Sequence, residues 1–159
     1  MVGPMLNRLV YYSERERSCS DEDVNRLIAA AALRNRPMDV TGLLVADRNC
    51  FIQILEGPRT AVSMIFQDVM RDRRHRNVVI AECSEIEQFS CPRWGMARLT
   101  DAAKIDAAWG RVARRGVFAP WPLNALQLRA LLRIAMGDAV AGPKETPKEA
   151  PLEAAFVPA

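Results

Sequence analysis

Gln53 stands in the middle of Phe51-Ile52-Gln53-Ile54-Leu55-Glu56-Gly57, an amide set among apolar neighbours. An amide side chain carries two donor hydrogens and an acceptor oxygen, and each group left unpaired in an interior costs about 1–3 kcal/mol. Its chemistry is the exchange of hydrogen bonds. The partner is either another protein group or a ligand that presents donors and acceptors, and on this residue alone both readings stand. Tyr11 offers a phenol in a second apolar run, and Asn35 a second amide at the end of an amphipathic stretch. A tyrosine by itself is more often a core residue whose hydroxyl meets a carbonyl. No nucleophile-and-base pair and no metal set accompanies them. His75 is the only histidine, and Cys19, Cys50, Cys83 and Cys91 lack metal-binding spacing.

The elements that must position these side chains follow from periodicity. Arg8-Leu9-Val10-Tyr11-Tyr12-Ser13 reads as a strand with Tyr11 on one face and Val10 and Tyr12 on the other. Ser20 with Asp23 three residues on predicts a capped helix, whose inward stripe Val24, Leu27, Ile28, Ala31 reaches Asn35 before Pro37 stops it. Strands are predicted at Val40–Val45 and Cys50–Glu56, joined by a hairpin-sized link. Pro58 opens a second helix with Val62, Ile65, Phe66 and Val69 inward. A fourth strand is expected at Val78–Cys83 and a fifth near Gly95–Arg98.

The order β-α-β-β-α-β-β predicts an α+β, ferredoxin-like sandwich with one added strand, both helices lying on one sheet face. Ile52, Ile54, Val10, Tyr12 and the apolar run Val78–Ala81 predict that the second face is buried as well. The C-terminal third supplies the cover. Thr100 caps a helix carrying Ile105, Ala108, Trp109 and Val112 that Gly116 closes; a second helix presents Leu128, Leu131, Leu132 and Ala135 and ends near Gly137. The expected division is 1–100 for the sheet domain, 101–140 for the helical pair and 141–159 for a disordered, Pro-, Glu-, Lys- and Ala-rich tail.

Composition narrows the class. With 159 residues, half of them hydrophobic, the chain has enough apolar mass for one core. A net charge of +3 is too small to argue for nucleic acid, and no run approaches the length of a membrane span. The cysteines read as reduced thiols, and a cytoplasmic location is expected.

From Leu6 to Thr100 the residues resemble the BLUF domain, a blue-light sensor that binds a flavin. Five linked segments carry the resemblance: Arg8–Tyr11; Arg34-Asn35 with Val40-Thr41-Gly42-Leu43-Leu44; Phe51–Gly57; Asp72, Arg74 and His75; and Trp94-Gly95-Met96. It implies FAD, with FMN and riboflavin as alternatives, lying between the two helices on the sheet. Asn35 would bond the polar edge of the ring, and Gln53 would bridge the ring to Tyr11. Asp72, Arg74, His75, Trp94 and Met96 would complete the cofactor-binding set, Arg74 or His75 meeting a ribityl-phosphate tail. Under blue light Tyr11 would give up an electron and a proton and take them back, leaving the Gln53 amide rearranged and the absorption slightly red-shifted.

The resemblance also implies a sensor rather than an enzyme, since no convergent acid, base or nucleophile is apparent. Fewer than sixty residues follow Thr100, so the chain is similar to short stand-alone members that signal through a separate protein. The segment with Trp94 and Met96 is the expected transmitter, and surplus apolar surface predicts a homo-oligomer. A ferredoxin-like small-molecule-binding or dimerisation module without photochemistry is the alternative. Three positions depart from the family pattern: Tyr12 where a small residue is common, Asp39 where glycine is frequent, and Arg36 in place of an uncharged residue.

Overall fold

A computed structural model describes residues 3–99, 102–113 and 119–136. The chain runs β1 (Leu6–Arg15), α1 (Asp21–Asn35), a 3-10 turn (Arg36–Met38), β2 (Thr41–Ala46), β3 (Cys50–Pro58), α2 (Arg59–Arg71), β4 (His75–Ile86), β5 (Ala97–Leu99), α3 (Ala102–Val112) and α4 (Ala125–Met136). The strands form one sheet in the order β4-β1-β3-β2-β5. Each β-α-β half therefore straddles a strand of the other half, which is the ferredoxin-like arrangement, and β5 is added parallel to β2.

Local signals set the ends of the elements. Ser20 Oγ accepts the Asp23 N–H at 3.1 Å while the Asp23 carboxylate accepts the Ser20 N–H at 2.9 Å, a reciprocal cap that starts α1. Pro37 ends it. Asp39 then takes a left-handed conformation, φ +57°, which explains why glycine suits this position; an aspartate tolerates it, and its carboxylate is held by Arg93.

Alternation along β1 and β3 builds two cores. On the first face Leu9, Tyr11, Phe51 and Leu55 pack with Val24 and Ile28 of α1 and Val62 and Ile65 of α2. On the second face Val10, Ile52 and Ile54 pack with Ala108 of α3 and Leu128, Leu131 and Leu132 of α4. The two C-terminal helices thus cover the second sheet face, as the pattern predicts.

One expectation is corrected. The run Val78–Ala81 is not buried on both sides, because β4 is an edge strand longer than predicted, and Val79 and Ile80 are 42% and 51% exposed. Register shifts interrupt the β1–β4 ladder between Val10 and Tyr11 and between Tyr12 and Glu14. The expected cap at Thr100, the stops at Gly116 and Gly137, and the 141–159 tail lie outside the described residues.

Candidate functional site

Tyr11 on β1 and Gln53 on β3 are directly opposed in the antiparallel ladder and point to the face beneath α1 and α2. The Tyr11 hydroxyl donates to Gln53 Oε1. Gln53 Nε2 donates to the Met96 sulfur at 3.3 Å. Both side chains are buried. Burial, and then the nearby Asp72 charge, push the Tyr11 pKa well above that of a free phenol, so the hydroxyl keeps its proton and acts as donor.

Around the phenol the packing is aromatic. The Tyr11 ring lies 5.3 Å from Phe66 of α2 and 6.1 Å from His75. His75 itself sits 4.6 Å from the Phe51 ring, with Nδ1 2.8 Å from Ser13 Oγ. Burial lowers its pKa from 6.5 to about 4, outweighing the pull of Asp72, so the ring is neutral at pH 7. At the turn after α2, Asp72 clasps the Arg74 guanidinium through bonds of 2.7–3.0 Å. Burial raises the Asp72 pKa, but the Arg74 bonds outweigh it and hold it below the usual value.

Asn35, fully buried at the end of α1, donates from Nδ2 to the Gly95 carbonyl at 3.2 Å and accepts from Arg34 at 3.3 Å. Arg34 also reaches Asp68 at 3.2 Å, tying α1 to α2 above the sheet. The two amides therefore end on adjacent residues of one segment, Gly95 and Met96. Small residues make that close approach feasible. A Cβ on Gly42 would lie 2.9 Å from Met96 Cε and 2.5 Å from the Ile54 carbonyl. A Cβ on Gly95 would lie 2.7 Å from the Ala32 carbonyl, at a φ of +82°.

The structure thus brings Tyr11, Gln53, Met96 and His75 together, places Asn35 one residue along the same segment, and sets Asp72 and Arg74 at the neighbouring turn. Trp94 does not join them. In an extended chain residues 94 and 96 share a face, but the left-handed Gly95 between them breaks the alternation. Met96 falls on the Tyr11 face, while Trp94 packs with the second-face cluster and donates Nε1–H to the Gly42 carbonyl at 2.6 Å. Tyr12 likewise faces the second side, 6.0 Å from Trp121. Sequence reasoning missed Ser13, although it lies two residues beyond Tyr11 on the same face, and it missed Arg34 as a bridge between the helices.

Two helices over a sheet, with a buried phenol–amide pair beneath them, define a small α+β module. The family model described as sensors of blue-light using FAD matches residues 6–97, and the chain belongs to this BLUF family. It is 35% identical over 79 residues to the blue light- and temperature-regulated antirepressor BluF of Escherichia coli, covering 50% of this chain and 20% of that protein. It is 30% identical over 97 residues to a photoactivated adenylate cyclase subunit beta of Euglena longa, covering 60% of this chain and 11% of that protein. The chain thus spans a fifth or less of these two relatives. Among solved structures, BlsA in its photo-activated state matches with a TM-score of 0.73 at 25% identity, over 89% of this chain and 99% of that one.

Proposed function

We propose that this chain is a blue-light photoreceptor that holds FAD non-covalently against the sheet beneath α1 and α2 and reports light through the hydrogen bonds of Tyr11 and Gln53. The observation that carries this reading is the buried Tyr11–Gln53 bond with a soft acceptor at the other end of the amide. A thioether accepts weakly, and among the described residues it is the only acceptor for the two Nε2 hydrogens. A heterocycle edge with carbonyl oxygens and nitrogens offers Gln53 a harder partner than the thioether. The donor set therefore fits a flavin ring.

Asn35 and Gln53 hold the ring edge. His75 and the Asp72–Arg74 clasp flank the site, where Arg74 or His75 would meet a phosphate tail. Met96 is the neighbour that Gln53 exchanges for the ring; Trp94, on the other sheet face, takes no direct part. When bound, FAD supplies the blue absorption and a site for an electron and a proton. Tyr11 holds its proton at the hydroxyl until an electron leaves the phenol, which acidifies it; the proton's path then leads to Gln53 Oε1. When both return, Tyr11 is unchanged and the amide is left in a new set of bonds. Nothing is consumed, which is sensing rather than turnover.

The proposed division places the flavin-holding unit at 1–100 and the helical pair at 101–140, consistent with a family match that ends at 97. Signalling passes to a separate protein, a reading supported by the blue light-regulated antirepressor among the relatives. Association with a second copy belongs to the same proposal, motivated by the exposed apolar side chains of edge strand β4. The test is titration of the purified chain with FAD, FMN and riboflavin, followed by release of the ligand under denaturant. Tight, reversible binding of FAD is expected; failure of all three to bind would contradict the proposal.

A further inference from the structure

Glu56 is fully buried on β3, on the sheet face opposite Gln53, and it takes part in none of the chemistry above. A buried carboxylate is costly unless its oxygens are fully bonded, and here they are. Oε1 accepts from Arg8 Nε at 2.7 Å and from Ser90 Oγ at 2.6 Å. Oε2 accepts the backbone N–H groups of Ser90 at 2.7 Å and Cys91 at 3.0 Å. One carboxylate thus fixes the start of the loop that runs through Trp94 and Gly95 to Met96. Burial, and then the neighbouring Glu56 carboxylate, push the Cys91 thiol pKa up.

The ionic contacts continue across the second face. Arg8 NH1 lies 3.9 Å from Glu82 Oε1 on β4, and Glu82 Oε2 lies 2.8 Å from Arg129 Nε on α4. Arg8 and Glu82 are nearly buried, with side-chain exposures of 13% and 14%. The contacts lead from α4 through Glu82, Arg8 and Glu56 to Ser90 and Cys91; the Glu82 links are ionic contacts only, and Glu82 Oε2 and Arg129 Nε make no hydrogen bond. Its far end lies five residues before the sulfur that Gln53 bonds.

We propose that Glu56 is a positioning residue that sets where Met96 meets the Gln53 amide and, through Arg8, Glu82 and Arg129, couples that segment to α4. The proposal rests on the reading of Tyr11 and Gln53 as the light-responsive pair. It gives that pair a mechanical route to the C-terminal helices on the far side of the sheet. A change at Met96 strains the Glu56 anchor, and the load falls on the ion pairs that seat α4. Coupling of this kind is shown by the effect of one end on the other, not by contiguity.

The experiment uses the full flavin-loaded chain and amide hydrogen exchange in the dark. Glu56→Gln replaces an acceptor oxygen by an NH2 group, which opposes either the two backbone donors or the Arg8 donor. Exchange across residues 87–99 should then accelerate about tenfold, as the loss of hydrogen bonds to a charged group predicts, with a rise across 125–136. Arg129→Gln leaves every Glu56 bond in place, yet should accelerate exchange across 87–99 about threefold. If Glu56→Gln does not fold, Ser90→Ala, which removes one bond to Oε1, should show about threefold acceleration over 87–99. Exchange over 87–99 within twofold of the parent in a folded Glu56→Gln, or in Ser90→Ala where it stands in, overturns the proposal. So does an Arg129→Gln effect confined to α4. In the same samples Glu56→Gln should keep the light-induced red shift but change its dark recovery about tenfold. A parent chain that binds flavin and shows no red shift would refute the Tyr11–Gln53 reading, while the exchange data would still decide the anchoring role of Glu56.

Discussion

Tyr11 and Gln53 stand opposite each other across the β1–β3 ladder, and the phenol of one donates to the amide oxygen of the other. Directly opposed residues of an antiparallel pair have Cβ atoms about 4.5–5.5 Å apart. The bond is therefore made by side chains alone, with the backbone fixed by the ladder. A pair built in this way can change partners without moving the strands, which suits a switch that resets in the dark.

Tyr11→Phe keeps the ring that packs on Phe66 but removes the donor to Gln53. The amide oxygen loses its partner, at a cost of about 1–3 kcal/mol. Flavin should still bind, because Asn35 and Gln53 remain. Illumination should produce no reversible red shift, as absorption spectroscopy before and after blue light will show.

Gly95→Ala forces a Cβ to 2.7 Å from the Ala32 carbonyl at a φ that disfavours any side chain. The conformational term alone is about 1–2 kcal/mol, and the clash adds to it. The melting temperature should fall by several degrees. In the folded fraction Trp94 and Met96 should lose their opposed placement, read as a changed Trp fluorescence.

His75 titrates at about 4 in the folded chain against 6.5 unfolded. The unfolded state thus takes up its proton first as pH falls. The stability involved is present in full above pH 6.5 and is lost progressively between 6.5 and about 4, amounting to roughly 3 kcal/mol. His75→Gln can still bond Ser13 but does not titrate. The melting temperature of the parent should drop more steeply over this interval than that of the variant; parallel curves would contradict the assignment.

Leu131→Ala opens a cavity at a fully buried site of α4, in the cluster shared with Val10, Ile52 and Ile54. The expected loss is about 2–5 kcal/mol in denaturant unfolding. The flavin spectrum should change little, since the helix lies on the sheet face opposite Tyr11. A variant as stable as the parent would mean that α4 does not seal this face.

Much of this was legible in the chain itself. Alternation puts Gln53 on a face apart from Ile52, and Tyr11 on a face apart from Val10 and Tyr12; that the two meet was implied by the family resemblance. The helical stripe places Asn35 inward, and Ser20 with Asp23 marks the start of α1. What escaped was set by long-range geometry. Val79 and Ile80 read as core because they are apolar and continuous; that β4 is the sheet edge follows from strand order, which local patterns do not encode. The orientation of Trp94 was not legible in the sequence; the positive φ of Gly95 sets it apart from Met96. The role of Glu56 depends on Ser90 and Cys91, thirty-four and thirty-five residues away.

The central claim is that the Gln53 amide carries the light response. Gln53→Leu keeps roughly the side-chain volume and removes both amide functions. The decisive measurement is the light-minus-dark absorption difference of the flavin-loaded parent and of this variant, recorded side by side. The account predicts a reversible red shift in the parent and none in Gln53→Leu, with both proteins yellow. A normal red-shifted photoproduct in Gln53→Leu would contradict it.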